Sequence, residues 1–225
     1  MTFSILAHDR KTGTFAAAAA TGSLCVGGWV IRGDIEAGSV ASQGTAPSPF
    51  WRDDAMRAMR AGVAATDAVS ALTGQDPGRA HRQLIALDRT GRTGGFTGGE
   101  SVPVAAHHCY EGLAVAGNML ASEAVLDALV ARYRRGEGEG EGEDMAERLL
   151  ASLRAGDAAG GDSRGLLSAA ILVLRPDAPT LDLRIDHSAA PLDEMEALLR
   201  AARTSPYADW LDVVPVLADR TRAPG

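Results

Sequence analysis

Three residues in this sequence carry side chains that act as nucleophiles in acyl transfer and stand in contexts that could use them: Thr2, Ser163 and Cys25. Ser163 lies in GDSRG, Gly161 to Gly165, which satisfies the G-x-S-x-G pattern, and His187 follows with Asp182 and Asp186 nearby. A nucleophile elbow needs a strand before the serine and a helix after it, because that turn lifts the hydroxyl above the sheet. Here the patterning gives helix and then strand, which counts against a serine esterase. Cys25 lies in the mostly apolar SLCVGG, where a buried structural cysteine is expected. His107 and His108 are adjacent, so on a strand they face opposite ways and cannot share a metal. No zinc-protease, paired-cysteine or P-loop pattern occurs.

Thr2 offers a different chemistry. Removal of Met1 would leave it with a free α-amine, whose pKa of about 7.7–8.0 makes a useful fraction an unprotonated base at neutral pH. One residue then supplies the hydroxyl nucleophile and, directly or through a water, the base that activates it. Attack on an amide carbonyl puts negative charge on oxygen, and a preorganised donor must meet it. Asn118 is the first candidate, since its amide donates without titrating and follows Gly117, with Gln43 the second. Ser23, in the TGS of Thr21 to Ser23, is a further polar group for a substrate, as is Gln43. Asp162 and Arg164 set a charged pair among glycines, and the planar fork of Arg164 suits a carboxylate.

Composition narrows the partners. The chain has 225 residues, 22 basic and 29 acidic, for a net charge of −7. That balance argues against nucleic acid and anionic membrane. Lys11 is the only lysine, which removes a P-loop lysine or an internal Schiff base. Two cysteines, Cys25 and Cys109, make no disulfide framework, and MTFSILAHDRK has its charge at the wrong end for a signal peptide, so a cytoplasmic location is expected. The longest apolar run, Leu166 to Leu174, is half of a membrane span. The expected partner is a small-molecule amide, with no cofactor and no metal, and homo-oligomerisation is left open.

The elements that must position these residues are read from period and punctuation. Thr2 to Asp9 alternates, with Thr2, Ser4, Leu6 and His8 on one side, and predicts a strand starting at the second residue. Thr14 to Thr21 reads as its antiparallel partner despite Ala16 to Ala20, because it lies between the DRKTG turn and TGS. Further strands are predicted at Gly28 to Ile31 and Ser39 to Gln43. Ser48 and Pro49 then open a helix to Arg60, and a second runs from Ala65 to Leu72. Leu84 to Leu87 and Thr93 to Thr97 form a hairpin, followed by strands at Val102 to Ala106 and Leu113 to Ala116. Helices at Glu123 to Arg134 and Met145 to Ala155 flank the GEGEGEGED tract, Gly136 to Asp144, which reads as a flexible acidic loop. Strands at Leu167 to Arg175 and Thr180 to Asp186, a helix near Leu192 to Ala202 and a tail complete one domain over 1–225, its C-terminal helix and tail at about 191–225. Strands joined by hairpins and separated by helix pairs imply an α+β fold of two antiparallel sheets with helices on their outer faces.

With these segments in place, the sequence resembles the family called domain of unknown function 1028. The resemblance is carried by MTFSILAHD, by VASQ (Val40 to Gln43), by RQLIALDRTGRTGGFTG (Arg82 to Gly98), by GNML (Gly117 to Leu120) and by GGDSRGLLSAAILVL (Gly160 to Leu174). It implies the four-layer αββα sandwich of N-terminal nucleophile hydrolases. By similarity of fold it implies hydrolysis of a small amide by Thr2. Many members carry a lysine where this chain has Gly22, in a pattern like SKFxAVG against TGSLCVG here, so no lysine stands beside Thr2 in this sequence. The alternative is a non-catalytic ligand-binding or scaffold protein on the same fold, and the third reading is the serine esterase of Ser163.

Overall fold

Strand β1, Thr2–Asp9, pairs along its whole length with β2, Thr14–Thr21, so that Thr2 faces Thr21 and Asp9 faces Thr14 across the ladder. The computed structural model describes residues 2–135, 144–161 and 164–224. Every residue of β2 is buried, and its alanine run is strand although alanine is the best helix former. Burial on both faces decides this. β2 lies between β1 and β9, Ser168–Leu174, where small side chains let neighbouring layers come close.

The remaining elements follow in chain order. A four-residue helix α1, Val26–Trp29, leads to β3, Ile31–Asp34, and β4, Gly38–Gly44. Helices α2, Pro49–Arg60, and α3, Ala65–Gln75, come next, then β5, Arg82–Asp88, β6, Thr93–Thr97, β7, Ala106–Tyr110, and β8, Leu113–Asn118. Helices α4, Ala124–Arg135, and α5, Met145–Ala158, precede β9; β10, Leu181–Ile185, is followed by α6, Pro191–Ala202, and α7, Tyr207–Leu211. The predicted cap of α2 is present, with Ser48 Oγ accepting from the Trp51 N–H at 3.3 Å and Pro49 in the first turn.

The strands form two antiparallel sheets. The larger has the order β10-β9-β2-β1-β8-β7 and the smaller β3-β4-β5-β6. Alternation assigns each face. Leu6, Ala17, Ala19, Ala114 and Leu172 of the larger sheet pack against Ile31, Ala41, Ile85 and Leu87 of the smaller. Phe3, Ile5, Val115 and Ile171 point the other way, against Leu126, Leu129, Leu149 and Met195 of α4, α5 and α6. Val40, Leu84 and Ala86 meet Trp51, Ala55, Met59 and Val69 of α2 and α3. Consecutive glycines let β6 sit close on both sides: a Cβ on Gly94 would come within 2.7 Å of the Ala65 carbonyl, and one on Gly95 within 2.3 Å of the His107 ring.

Two expected strands are corrected. Gly28 to Ile31 is mostly the end of α1, where Val30 N–H reaches Val26 O at 2.8 Å, and the strand begins only at Ile31. The glycine pair permits this tight turn: a Cβ on Gly27 would lie 2.8 Å from Ala170 Cβ. Val102 to Ala106 is irregular, with Pro103 unable to donate to a ladder, and strand β7 starts at Ala106. Cys25 is likewise exposed rather than buried, because it precedes α1 in a left-handed conformation, φ 59°. The acidic tract at 136–143 lies outside the described residues. Among the described residues no helix is long and apolar enough to cross a membrane.

Candidate active site

Register places the site. Thr2 on β1 stands between Thr21 on β2 and Asn118 on β8, and Thr21 in turn faces Ser168 on β9. Paired residues of antiparallel strands project to one face, so Ser168, Thr21, Thr2 and Asn118 form a polar row at one end of the larger sheet. Alternation along β1 directs this row, with Ser4 and Leu6, toward the smaller sheet. The Thr2 and Thr21 hydroxyls are 3.1 Å apart. Thr21 Oγ1 also accepts the Ser23 N–H at 3.3 Å.

Behind the row, a buried polar network joins the two sheets. Ser4 Oγ donates to Gln43 Oε1 at 2.8 Å, and Gln43 Nε2 donates to the Thr2 carbonyl at 3.3 Å and to Gln83 Oε1 at 3.2 Å. Gln83, fully buried on β5, also accepts from Asn118 Nδ2 at 2.9 Å. Its own amide donates to Gly117 O at 2.8 Å, Thr97 Oγ1 at 3.0 Å and Ala106 O at 3.3 Å. Thr97 Oγ1 lies 2.9 Å from His107 Nδ1. Burial lowers the His107 pKa, and the neighbouring His108 lowers it further, so the network ends on a neutral imidazole at neutral pH.

In front of the row is a cavity of about 440 Å³. Thr2, Thr21, Ser23, Gln43 and Thr45 are its polar lining residues, and Leu24, Val26, Trp29, Val30 and Pro47 its apolar ones. The segment from Leu24 to Val30, which carries all of the apolar lining but Pro47, is tied to the row and to the core. Ser168 Oγ donates to Ser23 O at 2.8 Å and accepts from Val26 N at 3.1 Å. The buried Arg52 donates to the carbonyls of Gly28 and Trp29 at 2.7 and 2.9 Å. No titratable side chain is among the described residues that line the cavity.

Of the residues selected from sequence, Thr2, Ser23 and Gln43 meet at this cavity, whereas Asn118 is buried, is not among the lining residues and is joined to Thr2 through the ladder. Gln43 is committed on all sides, to Ser4, Thr2 and Gln83, and so holds Thr2 in place. Arg164 is exposed on the loop leading into β9 and is not among the cavity-lining residues. Asp162 and Ser163 lie outside the described residues. The order around them is helix α5 and then strand β9, the reverse of a nucleophile elbow. Among the described residues no group of three or more His, Cys, Asp or Glu is placed to hold a metal ion.

Sequence reasoning missed Thr21, Ser4 and Gln83. The alternation that put Thr2 and Ser4 on one face was a usable signal for Ser4, and a glutamine opening the apolar run QLIALD was one for Gln83. The apolar side of the cavity had no such signal, since Leu24 and Trp29 are ordinary core types until the turn of α1 exposes them.

Comparison with known proteins agrees with this architecture. No curated protein matches the chain. The crystal structure of protein SPO2555 from Silicibacter pomeroyi, itself assigned to DUF1028, superimposes with a TM-score of 0.93 at 46% identity, covering 100% of this chain and 99% of the other. The model of the family described as Family of unknown function (DUF1028) matches residues 2–195. The chain belongs to the DUF1028 family.

Proposed function

We propose that the protein is an amidohydrolase of the N-terminal nucleophile type, a four-layer αββα sandwich in which Thr2, made the first residue by removal of Met1, cleaves a small amide. One observation carries this reading: Thr2 lines a cavity in which no described lining side chain can act as a base. The α-amine of Thr2 is then the base at hand, with a pKa of about 7.7–8.0.

The steps balance as follows. The α-amine, directly or through a water, takes the Oγ1 proton as Oγ1 attacks the carbonyl carbon. Collapse of the tetrahedral species breaks the C–N bond, and the leaving amine departs with that proton. Water, deprotonated by the same α-amine, then attacks the Thr2 ester. The acid is released, and Oγ1 regains its proton. Asn118 supplies the second hydrogen of its amide to the oxyanion, its first being held by Gln83. Thr21 Oγ1, 3.1 Å from the nucleophile and already accepting from Ser23, orients the Thr2 hydroxyl.

The test is an intact-mass measurement on protein made in its own host, followed by assay of a panel of small amides. Loss of the Met1 mass, with turnover that Thr2→Ala abolishes, is the expected result. Full retention of Met1 moves the reading to a non-catalytic ligand-binding protein on the same fold.

A further inference from the structure

We infer that the cavity beside Thr2 selects a neutral, apolar acyl group and excludes acyl groups that carry a charge, an inference that rests on the proposed hydrolase reading for its turnover arm. The observation is one of charge and shape together. Leu24, Val26, Trp29, Val30 and Pro47 give the cavity an apolar lining, and none of the other lining residues has a charged side chain. A charged group drawn into such a space loses water and finds no charged side chain to pair with. A volume of about 440 Å³ lies within the range of sites that enclose small organic ligands.

Exposure points the same way. Leu24 and Trp29 leave 53% and 54% of their surface to solvent, although they flank a concave space. Large apolar side chains held half-bare at a cavity are the surface that an apolar ligand covers. They are also held in place beforehand. Arg52 pins the carbonyls of Gly28 and Trp29, and Ser168 pins Ser23 and Val26, so the apolar side needs little ordering when a ligand arrives. The carboxylate-reading role expected for Arg164 therefore has no part in this cavity.

Three matched probes of one length test the inference: the hexanoyl, 6-aminohexanoyl and adipoyl mono-amides of 4-nitroaniline. Binding to the full-length Thr2→Ala protein is read by equilibrium dialysis, and turnover of the processed parent by release of 4-nitroaniline. The hexanoyl amide is expected to bind and turn over at least about 100-fold better than either charged probe. Trp29→Ala should weaken hexanoyl binding by about 10-fold or more, while Trp29→Phe restores most of it. Leu24→Arg, at a half-exposed position that tolerates charge, should bring the adipoyl probe in.

The outcomes separate the two readings. Hexanoyl binding with no turnover by the processed protein supports the apolar cavity and overturns the hydrolase. Thr2-dependent turnover of a charged probe at a rate equal to the hexanoyl probe overturns the apolar cavity and leaves the hydrolase standing. Absence of hexanoyl binding, or binding indifferent to Trp29→Ala, also overturns it.

Discussion

Gln83 accepts a hydrogen bond from Asn118 Nδ2 at 2.9 Å, and through it the smaller sheet grips the strand end that lies beside Thr2. The glutamine is fully buried and bonds to groups on β4, β6, β7 and β8. Such a network sets the relative position of two sheets more sharply than apolar contact does, because each member left without its partner bears the cost of desolvation.

Gln83→Ala should therefore cost on the order of 3 kcal/mol of stability, from unsatisfied Asn118, Gln43 and Thr97 groups together with the cavity left behind. Urea unfolding, read from the shift in midpoint at constant slope, measures it. A loss below about 1 kcal/mol would mean that water replaces the side chain and that the network does not fix the sheets.

Substitution separates the nucleophiles. Thr2→Ala is expected to abolish turnover and Thr2→Ser to keep part of it, whereas Ser163→Ala and Cys25→Ala leave most of it intact. Cys25 faces solvent on the turn before α1, its N–H bonded to the Asp186 carbonyl at 3.0 Å, and it is not among the residues that line the cavity. Activity lost only in Ser163→Ala would establish the serine esterase.

The rate should follow the amine. With no titratable side chain on the described cavity lining, kcat/KM is expected to fall about tenfold per unit of pH below a single midpoint near 7.7–8.0 and to level off above it. A midpoint in the acid range that disappears in His107→Gln would instead move the base to the far end of the inter-sheet network. Burial lowers the His107 pKa, so that limb would lie below the ordinary histidine value of 6.5.

How much of this was legible in the sequence depends on whether local pattern or contact decided each element. The strand beginning at Thr2, the cap at Ser48 and the hairpin around Asp88 follow from alternation and turn chemistry, which act over a few residues. The turn of α1 escapes such patterns because LCVGGWVI offers no polar residue to mark a helical period. What makes it helical is its fit against Ala170 and Arg184 on distant strands. The same holds for the site. Thr2, Asn118, Gln43 and Ser23 were selected by residue type, but Gln83 and Trp29 acquire their roles only when the sheets stack and α1 turns its side chains into the cavity.

Asp88 gives a test of stability. Its buried carboxyl is pushed up by desolvation, but bonds from the Thr90 hydroxyl, the Ala65 and Thr90 N–H groups and Arg92 outweigh this and hold its pKa below 3.8. A carboxyl with a depressed folded-state pKa stabilises fully above its unfolded value, and that contribution disappears as pH falls through the folded value. Asp88→Asn should cost about 2 kcal/mol at pH 7, and the gap between parent and variant should close below about pH 4. Urea unfolding of both proteins at neutral and acid pH reads this difference, and a gap independent of pH would mean that the ionised form contributes nothing.

The last prediction concerns the oxyanion. A donor that meets the developing charge acts mainly on turnover, and loss of one such donor lowers kcat by roughly 10²–10³-fold. Asn118 is suited to the task by its place opposite Thr2, but its amide also spends one hydrogen on Gln83 and is 3% exposed. Asn118→Ala therefore removes two things, the proposed oxyanion donor and one bond of the inter-sheet network. The second loss is worth about 1 kcal/mol, since Gln83 Oε1 still accepts from Gln43. Turnover is accordingly measured well below the melting temperature, on protein shown by circular dichroism to be folded. A fall of roughly 10²-fold or more in kcat with KM little changed assigns the oxyanion to Asn118. A variant that melts a few degrees early yet keeps its kcat when folded would make Asn118 a structural partner of Gln83, with the charge met by a donor that lines the cavity.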